Sequence, residues 1–145
     1  MEPKKQFKVG VHQGGGPEPG YQWTALIDSH SFEEAQDFLS PDQYHHLAMQ
    51  VKELAMSDNP KSSLTIDVEP IEDFFELRDK GGVLGKINAR IYYCVDVKRR
   101  RIVSLSTWNK KKEGPTPEHI KVRVRRRMRI YYELADDLDL QASAI

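Results

Sequence analysis

One cysteine, Cys94, occurs in 145 residues. A single thiol excludes an internal disulfide and a cysteine-built metal site, and it fits a reducing compartment. In a strand-like setting it reads as core packing. Long apolar runs are also missing. The longest, Ile91 to Val95, covers five residues, against about 20 for a membrane helix. The opening Met-Glu-Pro-Lys-Lys-Gln leads into no apolar signal core. A cytoplasmic protein with no membrane partner is expected. A phosphate loop is absent: Gly14-Gly15-Gly16 lacks the spaced Gly-Lys-Ser/Thr and follows no strand pattern.

Net charge is missing as well, with 22 basic and 22 acidic residues. That balance conceals a strong segregation. Residues 1–85 hold 7 basic and 15 acidic residues, and residues 86–129 hold 15 basic and 3 acidic. Residues 130–145 hold 4 acidic residues and no basic one. A concentrated positive segment is a footprint for phosphate or an acidic partner. The alternative is a solvated face balanced by the chain's own acidic half.

The length fits one domain with a real core. Residues 1–20 hold five of the nine glycines and three of the eight prolines, which predicts a disordered tail. Residues 21–135 form the single domain, and residues 136–145 form an acidic tail that frays. Tyr21 to Asp28 alternates weakly as a first strand. Ser31 with Glu34 is a capping box opening a short helix on Phe32, Ala35, Phe38 and Leu39. Ser40-Pro41-Asp42-Gln43 opens a second, whose stripe is Tyr44, Leu47, Val51, Leu54 and Ala55. His45 and His46 diverge on that helix and read as surface residues. Residues 57–71 read as an acidic connection.

Three consecutive antiparallel strands come next. The first covers about 73–79, before a glycine-rich reversal. In the second, Ala89, Ile91, Tyr93 and Val95 share one face, and Asn88, Arg90, Tyr92 and Cys94 the other. A basic turn at 98–101 leads to the third. There Ile102, Ser104, Ser106 and Trp108 alternate with Val103, Leu105 and Thr107. Thr116 as N-cap, Pro117 and Glu118 open a last helix on Ile120, Val124, Met128, Tyr131 and Leu134. Ile120, Val122 and Val124 also alternate as a strand would, but Arg125-Arg126-Arg127 breaks that pattern. The expected fold is α+β, in the order β-α-α-β-β-β with a C-terminal helix, the helices packed on a small antiparallel sheet.

This order resembles the RelE/ParE toxin superfamily, in particular its phage-derived Gp49-like (HigB-type) branch. Phe-x-Glu-Leu-Arg at 74–78, Ala-Arg-Ile-Tyr-Tyr at 89–93 and Trp108 followed by Lys110-Lys111-Lys112 carry the likeness. Thr116-Pro117-Glu118 before an arginine-studded helix ending in Tyr131-Tyr132 completes it. It spans residues 21–134. The resemblance implies a RelE-like fold and a toxin of a type II toxin–antitoxin pair. Such toxins are usually metal-independent endoribonucleases cutting mRNA, often on the ribosome, and a protein antitoxin from a neighbouring gene restrains them. No cofactor is implied. The functional positions carried over are Arg78, Arg90 and the lysines after Trp108.

Cleavage without a metal uses the 2′-hydroxyl as nucleophile. It needs a proton acceptor, a proton donor and a cationic cradle for the phosphorane. Arginine forks suit the cradle, so Arg90 and Arg78 are candidates. Lys110 and Lys111 are candidates for proton transfer, since packed cations disfavour one another's charge. His119, the one histidine of the basic segment, is a third. Lys112, Arg99 and Arg126 would contact RNA, with Trp108 and Tyr92 stacking on bases, and Tyr132, off the helical stripe, would contact RNA or a partner. A structural alternative for Arg90 is an ion pair with Glu76 across the strands. A gyrase-poisoning toxin and a non-catalytic RNA- or protein-binding module on the same fold are the competing functions.

Overall fold

The structure, a computed structural model, describes residues 7–10, 20–112 and 114–143. Its elements are β1 (Phe7–Gly10), β2 (Thr24–Asp28), α1 (Ser29–Phe38), α2 (Pro41–Met56) and β3 (Asp67–Pro70). They continue with β4 (Phe75–Lys80), β5 (Asn88–Asp96), β6 (Arg101–Asn109) and α3 (Glu118–Ser143). The strands form one sheet in the order β1-β2-β6-β5-β4-β3. The chain is therefore α+β, as expected. The three central strands are antiparallel neighbours.

Three expectations change. The sheet is mixed, because β2 runs parallel to β6. Two strands are additional to the β-α-α-β-β-β order. Strand β3 lies in the expected acidic connection, where Val68 is too isolated to signal a strand. It exists by pairing with β4. Strand β1 falls within the expected tail and pairs with β2. The rest of 1–19 lies outside the described residues. Finally, the acidic residues from Asp136 continue α3 as far as Ser143. Two anchors hold the helix where this stretch begins: Arg101 Nη1 donates to Ala135 O at 2.8 Å, and Arg99 Nη2 to Asp136 Oδ1 at 2.8 Å.

The two faces of β5 are as the alternation requires. Ala89, Ile91 and Tyr93 join Leu47, Leu54 and Ile102 in a core beneath α1 and α2. Tyr92 and Cys94 join Val103, Leu105 and the α3 stripe Ile120, Val124, Met128 and Tyr131 on the other side. The alternation of β6 does not survive. Its register against β5 shifts between Tyr92 and Tyr93, leaving Leu105 as an extra residue. Such a bulge reverses the facing of everything beyond it. Trp108 therefore pairs with Arg90 on the α3 side, and Thr107 with Ile91 on the other.

The second helix start is as read. Ser40 Oγ accepts from Gln43 N at 3.2 Å, and Gln43 Oε1 from Ser40 N at 2.9 Å. Ser40→Ala removes one of these bonds and is expected to cost about 1 kcal/mol in denaturant unfolding. No change in the midpoint would show that α2 does not depend on its cap. The first helix starts differently. Asp28 is its cap, accepting from His30 N at 2.8 Å. Ser31 is instead fully buried, 2.9 Å from Thr107 Oγ1. Glu34 closes no capping box, because its carboxylate is taken by partners on β6 and α3. It accepts from Ser106 Oγ at 2.9 Å, Thr107 N at 3.1 Å, Arg123 at 3.2 Å and Arg127 at 2.9 and 3.1 Å. Thr107 lies beyond the part of β6 that pairs with β2, so Glu34 satisfies backbone the sheet leaves open.

Among the described residues, no helix is long and apolar enough to cross a membrane.

Candidate functional site

Strands β4 and β5 pair Arg78 with Arg90, and β5 and β6 pair Arg90 with Trp108. Side chains two residues apart share a face, so Glu76 and Tyr92, themselves partners, join them. Like charges directly opposite repel, and the two arginines need a counter-charge. Glu76 supplies it from a buried position. Its Oε1 is 3.7 Å from Arg78 Nε and 3.7 Å from Arg90 Nε. That is attraction without a hydrogen bond. Both Nε–H groups, with Trp108 Nε1–H, are buried donors without a hydrogen-bond partner. Buried donors are ordinarily satisfied, so three orphans on one face single it out.

The remaining contacts orient the set. Arg90 Nη1 donates to Asn88 Oδ1 at 2.5 Å and Ala89 O at 3.1 Å. Arg78 Nη1 and Nη2 reach Glu69 at 2.8 Å and Asp67 at 3.0 Å. Glu76 Oε2 accepts from Thr116 Oγ1 at 3.2 Å, and the Tyr92 hydroxyl stands 3.3 Å from the same Oγ1. Thr116 is thus not the N-cap of α3. Its hydroxyl turns inward to the sheet, while Pro117 O accepts from Ile120 N and Lys121 N at 3.1 and 3.2 Å.

Two polar clefts open on this face, divided by Arg78. One, of about 340 Å³, is lined by Glu69, Pro70, Ile71, Glu76, Arg78, Lys110, Gly114, Pro115, Thr116 and Lys121. The other, of about 380 Å³, is lined by Asp67, Arg78, Asp79, Lys80, Asn88 and Arg90. Lys110 is fixed at the strand end by its N–H to Asn88 O at 2.9 Å, and its ammonium meets Gly114 O. An apolar cavity of about 290 Å³ lies on the opposite side of the sheet, against α1 and α2. It has no convergent charged groups and is not the centre of this chemistry.

The expected residues divide. Arg78, Arg90 and Lys110 come together. Lys111 and Lys112 are exposed and line neither cleft, so the triple lysine contributes one cation rather than three. His119 is exposed and outside both clefts, with its ring edge-on to half-buried Trp108 at 6.3 Å. Tyr92 is fully buried. Burial raises its hydroxyl above the ordinary phenol value, and its ring cannot stack on a base. Arg99 lies beyond the far end of β5, at least six residues or about 20 Å from Arg90. It is held there by Asp136 and Asp96, and those bonds raise its pKa. Tyr132 is exposed against Tyr131, whose hydroxyl donates to Asp96 at that same end. Arg126 is exposed on α3.

The segregated charge is partly consumed within the molecule. Arg123 and Arg127 pair with Glu34, and Arg125 with Glu72 and Glu118. His46, read as a surface residue, is bound by Asp79 at 2.5 Å, a partner supplied by another element. In the sequence Glu76 stands only as a counter-ion and Thr116 only as a helix cap, and nothing local marks Lys121 or Lys80. Each acquires its place in the site from a neighbouring strand or loop.

Protein-family models and curated proteins give no match to this chain.

Proposed function

We propose that this protein is an endoribonuclease toxin of a type II toxin–antitoxin pair, cutting mRNA at the Arg78–Arg90 face. The observation that carries the reading is the paired arginine forks around buried Glu76, with both Nε–H groups free of any hydrogen bond. Forks of this kind bind phosphate through charge-assisted bonds.

In the proposed reaction the scissile phosphate lies between Arg78 and Arg90. Glu76 takes the proton from the 2′-hydroxyl, with Thr116 holding the other carboxylate oxygen. The 2′-oxygen bonds to phosphorus, and the bond to the 5′-oxygen breaks. An ammonium from Lys110 or Lys121 protonates that leaving oxygen. Product ends are a 2′,3′-cyclic phosphate and a 5′-hydroxyl. The arginines oppose the charge that develops on the phosphorane. A metal ion has no part in this scheme, in keeping with the toxin resemblance. The antitoxin would be a protein from a neighbouring gene, and the ribosome a further partner.

Induced expression in a bacterial host tests the proposal. Growth arrest with messages cut at defined points is the expected result. A DNA-damage response over intact RNA would replace it with a gyrase poison. Normal growth with salt-sensitive RNA binding would replace it with a non-catalytic module.

A further inference from the structure

We infer that edge strand β3 is a built-in competitor for the anion that binds Arg78. This rests on the reading above and concerns the regulation of the same site. Asp67 is the cross-strand partner of Arg78, and Glu69 follows two residues later, opposite Glu76. The alternation of a strand therefore presents both carboxylates on the arginine's own face. They take its two terminal nitrogens, Nη2 to Asp67 at 3.0 Å and Nη1 to Glu69 at 2.8 Å. Only Nε–H is left without a hydrogen-bond partner. The fork that would clasp a phosphate is thus occupied by carboxylate oxygens of the same chain.

The occupation is reversible on physical grounds. The Asp67 and Glu69 side chains are 59% and 50% exposed. Exposed ion pairs contribute little and are screened by salt. The pair can hold the fork in place against a small anion that makes one contact. A polyanion that also reaches Lys110 and Lys121, in the same cleft as Arg78 and Glu69, gains enough to displace them. Selection for a strand of several phosphates over a mononucleotide follows, without any contact to a base.

The test is the full chain carrying Asp67→Asn with Glu69→Gln. Its ligand is a fluorescein-labelled, fully 2′-O-methylated single-stranded oligonucleotide, which binds but cannot be cleaved. A control carries Glu33→Gln with Asp37→Asn, an equal loss of charge at exposed positions of α1. Anisotropy titrations should show affinity rising roughly three- to tenfold in the β3 variant and much less in the control. Adding Arg78→Ala, or Arg78→Gln if the alanine variant does not fold, should erase the gain. No gain, no binding by either protein, an equal gain in the control, or a gain that survives loss of Arg78 overturns the inference. Cleavage of the unmodified oligonucleotide separates this from the nuclease reading. Tighter binding with no cleavage by any variant, with or without added ribosomes, keeps the competitor and removes the nuclease. Cleavage with no gain does the reverse.

Discussion

Arg90→Ala is expected to lower RNA cleavage by roughly 10²–10³-fold, the usual effect of removing one preorganised donor from a developing oxyanion. The arginine is 9% exposed and faces Glu76. Its loss leaves that carboxylate with Thr116 and with Arg78 alone of the two arginines, and a cost of about 1–3 kcal/mol in stability accompanies the change. The two effects are separable. Arg90→Lys keeps a charge but loses the planar fork. It should restore most of the stability and little of the rate. Cleavage measured on a purified message, beside a melting curve, decides the matter. Full activity in a normally melting Arg90→Ala protein would place the chemistry elsewhere.

Glu34→Ala should be the most destabilising single change outside the apolar core, by roughly 3 kcal/mol, or about 10 °C in melting temperature. One carboxylate there receives a serine hydroxyl and a backbone N–H of β6 and the guanidinium groups of Arg123 and Arg127. Removing it leaves Arg127, whose side chain is only 12% exposed, with a neutral carbonyl, Leu105 O at 2.8 Å, and no counter-charge, and opens the edge of β6 past the bulge. Glu34→Gln keeps an acceptor for Thr107 N–H and should lose about half as much. A loss below about 1 kcal/mol would mean that α3 is held by its apolar stripe alone.

These two residues were unequally visible in the sequence. Arg90 stood out because strand alternation alone puts it opposite Ile91. Glu34 read as half of a capping box with Ser31, since a Ser-x-x-Glu spacing is a local signal. Asp28 won the cap, and packing of α1 against β6 drew both residues into contacts more than seventy positions away. Trp108 was misplaced for a related reason. One extra residue at Leu105 turns the strand over, and a bulge has no signature in a run of Ile, Val, Ser and Leu.

What the amino-acid order determined by itself is whatever depends on neighbours a few residues apart. That includes the class of fold, the Ser40 box, the two faces of β5 and the helical nature of α3. Cross-strand register, the inward turn of Thr116, the recruitment of Lys121 and the burial of Tyr92 and Glu76 were settled only by the folded chain. Each of these is a choice among distant partners with similar local cost. Only the packing of the whole sheet against its helices removes that degeneracy.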